Sequence, residues 1–321
     1  MSATRNARPM RVRAMTWEAE GVLSVELVPI DGGSLARPEP GAHVDLVLRD
    51  DLIRQYSLCG DVSDPTRWRV AVLLERDGRG GSAYVHEQLR VGAVIDVVGP
   101  RNNFALLPAE EYLFVAGGIG ITPLLPMIRA AAAQDARWRL LYGGRRRASM
   151  AFLDELAAYA GHVTIAPQDE VGLLDLATAL RAAGDDARIY CCGPEPLLAA
   201  VEKECAELGR PAPYVERFAA RGDASGAAHH DGDSAFEVEL VDSARRLVVP
   251  ADQTIVSVLE DAGIYIPTSC AEGYCGTCET EVVAGLPDHR DDYLSDEERA
   301  ANDRMMVCVG RSKCPVLSLR L

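Results

Sequence analysis

The chain has 321 residues, 48% hydrophobic and 25% charged, with a formal net charge of −15; that length accommodates two or three ordinary globular domains. The acidic balance argues against a nucleic-acid partner, whose phosphates demand a basic face. No apolar run reaches the roughly 18 residues needed to span a bilayer, and the polar, Arg-rich start Met1–Arg13 lacks the apolar core of a secretory signal, so a cytoplasmic monomer away from membranes is expected.

The first hundred residues carry short alternating runs, Val22–Val28, His43–Leu48, Arg69–Leu74 and Val94–Val98, broken by Asp31-Gly32-Gly33, Pro40-Gly41 and Asp77-Gly78. Such punctuation predicts a small antiparallel β-barrel over residues 10–106. Within it Arg54-Gln55-Tyr56-Ser57-Leu58 follows a strand, and Gly78-Arg79-Gly80-Gly81-Ser82 precedes a helical stretch, Ala83–Leu89. A Gly-rich turn that opens a helix presents free N–H groups to a phosphate. Gly80, Gly81 and Ser82, with Arg54 from a neighbouring strand, therefore form a candidate phosphate site, and Tyr56 is placed to lie along a flavin ring.

From Tyr112 the rhythm changes. Strand runs Tyr112–Ala116, Leu140–Tyr142, Val163–Ile165 and Ile189–Cys191 alternate with helical stretches Pro123–Ala133, Met150–Ala160, Leu173–Ala183 and Glu195–Leu208. This alternation predicts a doubly wound α/β domain over 107–218. Its first strand runs into Gly117-Gly118-Ile119-Gly120-Ile121-Thr122-Pro123, a strand–turn–helix nucleotide signal without the third glycine of the standard fingerprint. Tyr190-Cys191-Cys192-Gly193-Pro194 ends a later strand at the same sheet edge, with Cys191 pointing into the core. Arg145-Arg146-Arg147 follows the second strand, where an adenosine ribose should lie. Three guanidinium groups could grip a 2′-phosphate and favour NADPH. The alternative, which is the expectation here, is that Arg145 contacts the nucleotide, the other two are solvated, and the donor is NADH.

Small, polar residues from Ala219 onward predict a linker over 219–235, and its His229-His230 pair reads as solvated. The last segment, 236–321, opens with a hairpin (Phe236–Val241, Leu247–Val249) and a helix (Ile255–Ala262), and carries eight basic against sixteen acidic residues, a formal charge of −8. Its strongest feature is Cys270-Ala-Glu-Gly-Tyr-Cys275-Gly-Thr-Cys278, with Cys308 thirty residues beyond. This is the C-x₄-C-x₂-C…C spacing of plant-type [2Fe–2S] ligation. Three thiolates come from one tight loop and the fourth from a separate strand. Gly273 and Gly276 allow the loop to turn and approach the cluster closely. A zinc site would instead pair two separated knuckles. Cys314 is expected to be a buried thiol outside the ligand set.

Residues 236–321, with Cys270–Cys278 and Met306-Val307-Cys308-Val309, resemble a plant-type ferredoxin domain of β-grasp fold. The order of barrel, nucleotide domain, linker and ferredoxin resembles the phthalate dioxygenase reductase and vanillate demethylase reductase family, in the ferredoxin–NADP⁺ reductase superfamily. The match is carried by Arg54–Leu58, Gly78–Ser82, Asn102-Asn103-Phe104, Gly117–Pro123, Leu141–Arg145, Cys192–Pro194, Glu216-Arg217-Phe218 and Asp288-His289-Arg290-Asp291. The resemblance implies FMN rather than FAD, hydride from NADH, and single electrons delivered to a Rieske-type terminal oxygenase, with a cytochrome P450 as the alternative acceptor. It also implies that Cys192 stands beside the nicotinamide with Gly193 and Pro194, that Ser57 and Thr122 join it at the reacting end, and that Phe218 covers the flavin. A redox-sensing regulator would need neither nucleotide turn.

Overall fold

The computed structural model describes residues 7–49, 52–218, 232–268 and 270–321. It divides into two compact units, Asn6–Arg217 and a second that takes in Phe218–Leu321. Among the described residues no helix is long and apolar enough to cross a membrane.

The first unit opens with a six-stranded antiparallel sheet: β1 (Arg8–Ala19), β2 (Val22–Pro29), β3 (His43–Arg49), β4 (Leu52–Ser57), β5 (Trp68–Leu73) and β6 (Val94–Arg101), in the order β4-β3-β6-β1-β2-β5. Leu58, one residue past β4, bridges Val70 of β5, so the two edges meet and the sheet closes as a barrel. Its inward residues, among them Met10, Val12, Val25, Leu27, Val44 and Leu46, form one apolar core. The longest strand, β1, begins inside the stretch that the sequence marks only as a polar start. Met10 and Val12 are buried while Arg11 and Arg13 point out; alternation with Arg masks a strand that has only one apolar face. A short helix, α1 (Gly81–Glu87), follows β5 and begins two residues before the expected Ala83.

The second half of this unit is a five-stranded parallel sheet of β7 (Glu111–Gly117), β8 (Arg137–Gly144), β9 (Val163–Pro167), β10 (Arg188–Cys192) and β11 (Tyr214–Glu216), ordered β11-β10-β7-β8-β9. Strand β7 is buried along its whole length, as a strand covered on both faces must be. The helices are α2 (Ile121–Ala133), α3 (Leu153–Leu156), α4 (Gln168–Val171), α5 (Leu176–Ala182) and α6 (Glu195–Glu207). The expected continuous helix Met150–Ala160 is broken into α3 flanked by two 3₁₀ turns. Phe152 is the cause: its ring is in the core while its backbone takes φ +63°, a left-handed conformation that no helix can pass through. Chain order reverses between β7 and β10, and at such a switch point the carboxyl ends of the strands leave a crevice for ligands.

The second unit is the expected β-grasp. A mixed sheet, β13-β12-β18-β14-β16, is built from β12 (Phe236–Leu240), β13 (Arg245–Val249), β14 (Glu279–Ala284), β16 (Arg304–Met306) and β18 (Val316–Leu319), with β15 (Pro287–Asp288) and β17 (Arg311–Ser312) paired separately. Strands β12 and β18 run parallel and the other pairs antiparallel. Helices α7 (Ile255–Asp261) and α8 (Asp296–Ala301) each begin with a capping box, Thr254 with Ser257 and Ser295 with Glu298. Phe236, Val238 and Leu240 put alternate side chains into the same core as Ile255 and Leu259.

Within the span expected to be linker, the Asp233 side chain is 9% exposed. Its carboxylate accepts two hydrogen bonds from Arg290 (2.6 and 3.0 Å) and lies 3.6 Å from Arg311. Arg311 in turn donates to the carbonyls of Ser234, Pro250 and Gln253. Residues 219–231, with His229-His230, lie outside the described residues.

Candidate functional site

In the second unit Cys270, Cys275, Cys278 and Cys308 are each 5% exposed or less. Three come from the loop between α7 and β14, and Cys308 follows β16, which pairs with β14. The Cys270 sulfur accepts from the Glu272 N–H at 3.3 Å, and the Cys275 thiol donates to Thr277 Oγ1 at 3.1 Å. The nearby Cys275 and Cys308 thiols lower the Cys270 thiol, and Cys275 and Cys308 are raised in turn. Cys308 also lies against Cys278. A binuclear cluster needs two thiolates at each iron, with bridging sulfide completing the shell. Four buried thiols, three on one loop and the fourth just past the strand paired with the loop's end, suit that demand.

The loop reaches this shape through its glycines. A methyl group at Gly273 (φ +78°) would lie 2.7 Å from Val309 Cγ2 and 3.0 Å from Asp291 Cα; at Gly276 (φ +72°) it would lie 2.4 Å from Tyr293 Cζ. Both close neighbours, Asp291 and Tyr293, belong to a segment whose bracing role the sequence does not announce. The Asp292 N–H donates to Gly273 O at 3.0 Å. Asp291 accepts from the N–H groups of Tyr293 (3.2 Å) and Leu294 (2.8 Å), and Arg299 donates to the Asp291 carbonyl at 2.5 Å. Cys314 corrects an expectation: it is only half-buried. Its thiol donates to Val316 O at 3.0 Å and accepts from the Leu286 N–H at 3.1 Å.

In the first unit two glycine turns interlock at the switch point. A methyl at Gly120 would sit 2.2 Å from the Cys192 carbonyl oxygen; at Gly117, 2.8 Å from Pro194 Cδ; and at Gly193, 2.9 Å from Gly117 Cα. Gly118 has φ +55°. Only glycine permits this approach, and it packs the turn after β7 against the turn after β10. Thr122 is buried and donates to Ile119 O at 2.9 Å, which ties the turn to the start of α2. Cys192 is wholly buried, and burial, aided by the Glu216 carboxylate, pushes its thiol far up. It therefore stands there as a neutral thiol. Cys191 faces the opposite core, as expected.

Strand β11 pairs Glu216 with Cys192, and the Ser57 hydroxyl at the end of β4 donates to Glu216 Oε2 at 3.4 Å. Desolvation pushes this carboxyl up to about 8, with the Ser57 hydroxyl opposing. Ser57, Cys192 and Glu216 thus meet where the barrel adjoins the nucleotide sheet. Glu216 is the group that sequence reasoning places in a matching run without giving it a role.

Farther along β4, burial pushes the Tyr56 phenol up to about 12, with Arg54 opposing. Arg54 donates to Ile53 O at 2.7 Å and to Arg79 O. A methyl at Gly81 would lie 2.3 Å from Arg54 Cγ, and Gly80 has φ +81°. Arg54 is therefore brought to the first turn of α1, beside Ser82, whose hydroxyl accepts from the Glu75 N–H at 3.0 Å. Arg145 is exposed beyond β8. Phe218 is 39% exposed.

A glycine-locked nucleotide turn and a set of four buried thiols on one chain define an electron-transfer oxidoreductase. Residues 114–203 match the oxidoreductase NAD-binding domain family, and residues 238–313 match the 2Fe-2S iron-sulfur cluster binding domain family. The chain is 42% identical to phenoxybenzoate dioxygenase subunit beta of Ectopseudomonas oleovorans over 100% of both chains. It is 40% identical to vanillate O-demethylase oxidoreductase of Pseudomonas sp. (strain HR199 / DSM 7063), over 97% of this chain and 98% of the relative. Among solved structures, phthalate dioxygenase reductase superposes with a TM-score of 0.75 at 31% identity, over 100% of both chains. An intact type IV self-sufficient cytochrome P450 monooxygenase gives 0.87 at 40% identity, over 98% of this chain but only 41% of that one. The chain belongs to the oxygenase-reductase family of phthalate dioxygenase reductase and vanillate O-demethylase oxidoreductase, which are NAD(P)H-dependent flavin and iron–sulfur oxidoreductases.

Proposed function

We propose that the chain is the reductase component of a Rieske-type oxygenase system, taking hydride from NADH onto FMN and passing single electrons out through a [2Fe–2S] cluster. The observation that carries this reading is the burial of Cys270, Cys275 and Cys278 on one loop and of Cys308 just past the adjoining strand, on the same chain as the interlocked nucleotide turns. When bound, a flavin supplies the exchange of a two-electron hydride for single electrons, and the cluster accepts one electron at a time.

The residues present fit these groups. Arg54 and the backbone of Gly80, Gly81 and Ser82 would hold the terminal phosphate of FMN, with Tyr56 on the same strand to bound the ring system. Gly117, Gly118, Gly120 and Thr122 carry the dinucleotide on the N-terminal turn of α2, where N–H groups and helix dipole favour its phosphates. Gly193, Pro194 and the neutral Cys192 bound the nicotinamide, and Arg145 reaches the adenosine end. Ser57 orients the carboxyl of Glu216, which holds a proton near neutral pH at the reacting end. No acid–base dyad is required. The protein's contribution to hydride transfer is positioning and the exclusion of water.

Residues 219–232 would tether the outlet domain, residues 236–321, to which Asp233 and Ser234 are already bonded. Its formal charge of −8 suits a cationic face on the acceptor, with attraction that weakens as salt screens it. A haem acceptor is the second reading, favoured by the 40% identity to part of a self-sufficient P450. The test is anaerobic reduction by NADH with purified acceptors. Bleaching of the cluster's visible band, followed by faster electron delivery to a Rieske oxygenase than to a P450, is expected. Zinc in place of about two irons per chain would overturn the reading.

A further inference from the structure

The loop after β8 presents Arg145, Arg146 and Arg147 where a doubly wound sheet meets the adenosine ribose. In that position an acidic residue suits a free 2′-hydroxyl and an arginine suits a 2′-phosphate. Three arginines would favour NADPH, yet two of them are already engaged. Glu20, in the turn between β1 and β2, lies 2.7 Å from Arg146. Glu170, on α4, takes Arg147 in a two-pronged contact at 3.0 and 2.9 Å, with Asp169 adding negative charge beside it.

The same two segments also fix the loop's backbone. The Glu20 N–H donates to Ala148 O at 2.8 Å and the Asp169 N–H to Arg145 O at 3.3 Å. The Arg146 carbonyl accepts from the Ser149 N–H at 3.0 Å and from its hydroxyl at 2.9 Å. The carboxylates are thus held in register with the arginines by main-chain bonds.

We propose that Glu20 and Glu170 are specificity-determining residues. They occupy Arg146 and Arg147, leave only Arg145 for the adenosine end, and set carboxylate charge against an incoming 2′-phosphate. A planar guanidinium already bound by both prongs to a carboxylate cannot offer the same fork to a phosphate. Exposed ion pairs add little to stability, so the role is selection between nucleotides. This inference rests on the NADH reading above and names the residues that produce it.

The experiment uses the full chain with its cofactors. In Glu20→Gln/Glu170→Gln, kcat/KM for NADPH relative to NADH should rise tenfold or more, mainly through a lower KM for NADPH. The Ki of 2′,5′-ADP against NADH should fall by a similar factor relative to that of 5′-AMP. Glu170→Gln alone should give part of the gain. Adding Arg146→Gln and Arg147→Gln should cancel it. Glu207→Gln, which removes a carboxylate paired with Lys203 on α6, should leave the ratio as it is. An unchanged ratio in the double variant, or a gain that survives loss of the arginines, overturns the proposal. A parent chain that itself prefers NADPH overturns the NADH reading as well, which separates the two failures.

Discussion

Two glycine-dependent loops carry the proposed chemistry, and they are supported in different ways. At the nucleotide turn the close neighbours of Gly120 are the Cys192 carbonyl oxygen and carbon and the Gly193 nitrogen, all main-chain atoms on the next strand of a rigid sheet. At the cluster loop the close neighbours include side chains: Tyr293 over Gly276, and Val309 with Asp291 beside Gly273. One loop is held by the sheet itself. The other is braced by a separate segment, Asp291–Leu294, so its shape depends on contacts that can give way. That difference can be broken deliberately.

The largest effect is expected at Gly120. In Gly120→Ala the new methyl meets a carbonyl that cannot move without displacing β10, and overpacking of this kind costs about 1–3 kcal/mol. NADH–ferricyanide activity should fall at least a hundredfold while the cluster's absorbance persists, because the second unit is untouched. At the cluster loop, Gly276→Ala should lower cluster occupancy, and Tyr293→Ala on the same chain should restore part of it by vacating the ring position. The φ of +72° keeps the rescue incomplete, since a left-handed alanine retains about 1 kcal/mol of strain. Iron and labile sulfide assays would read both. No second substitution should rescue Gly120→Ala in this way.

A smaller effect should follow from Asp291→Ala. Two N–H groups, of Tyr293 and Leu294, lose their acceptor, at about 1–3 kcal/mol when buried. Loss of cluster to a chelator should accelerate several-fold, with NADH–ferricyanide activity maintained.

How much of this was legible in the sequence follows the same division. The cysteine spacing and the two glycine turns are local patterns, and each predicts its chemistry because the residues that act lie within a few positions of one another. The braces and the proton holder are not local. Glu216 meets Ser57 across 159 residues, and Asp291 reaches Gly273 from beyond two strands. The same limit hid β1, where alternate arginines disguise a strand with one buried face. It also hid the break at Phe152, where packing of one ring overrides a good helical run.

A different readout, stability against pH, concerns Glu216. Its folded pKa, near 8, is raised above the ordinary carboxyl value of 4.5 because burial penalises the anion. Between those values the folded chain binds a proton that the unfolded chain has released. Stability of the first unit should therefore decline as pH rises from about 4.5 to about 8 and level off above. Glu216→Gln should flatten that decline in thermal melts taken across the range. A decline of equal size in the variant would assign it to another group.

The central claim is that electrons leave the first unit only through the cysteine loop of the second. The most direct measurement compares the full chain with Cys308→Ser, following NADH oxidation with ferricyanide and with cytochrome c as acceptors. The serial path predicts that the variant keeps ferricyanide reduction, which needs hydride transfer alone, and loses cytochrome c reduction together with its cluster. If the cluster-free variant reduced cytochrome c as fast as the parent, the cluster would not lie on the path and the account would be wrong.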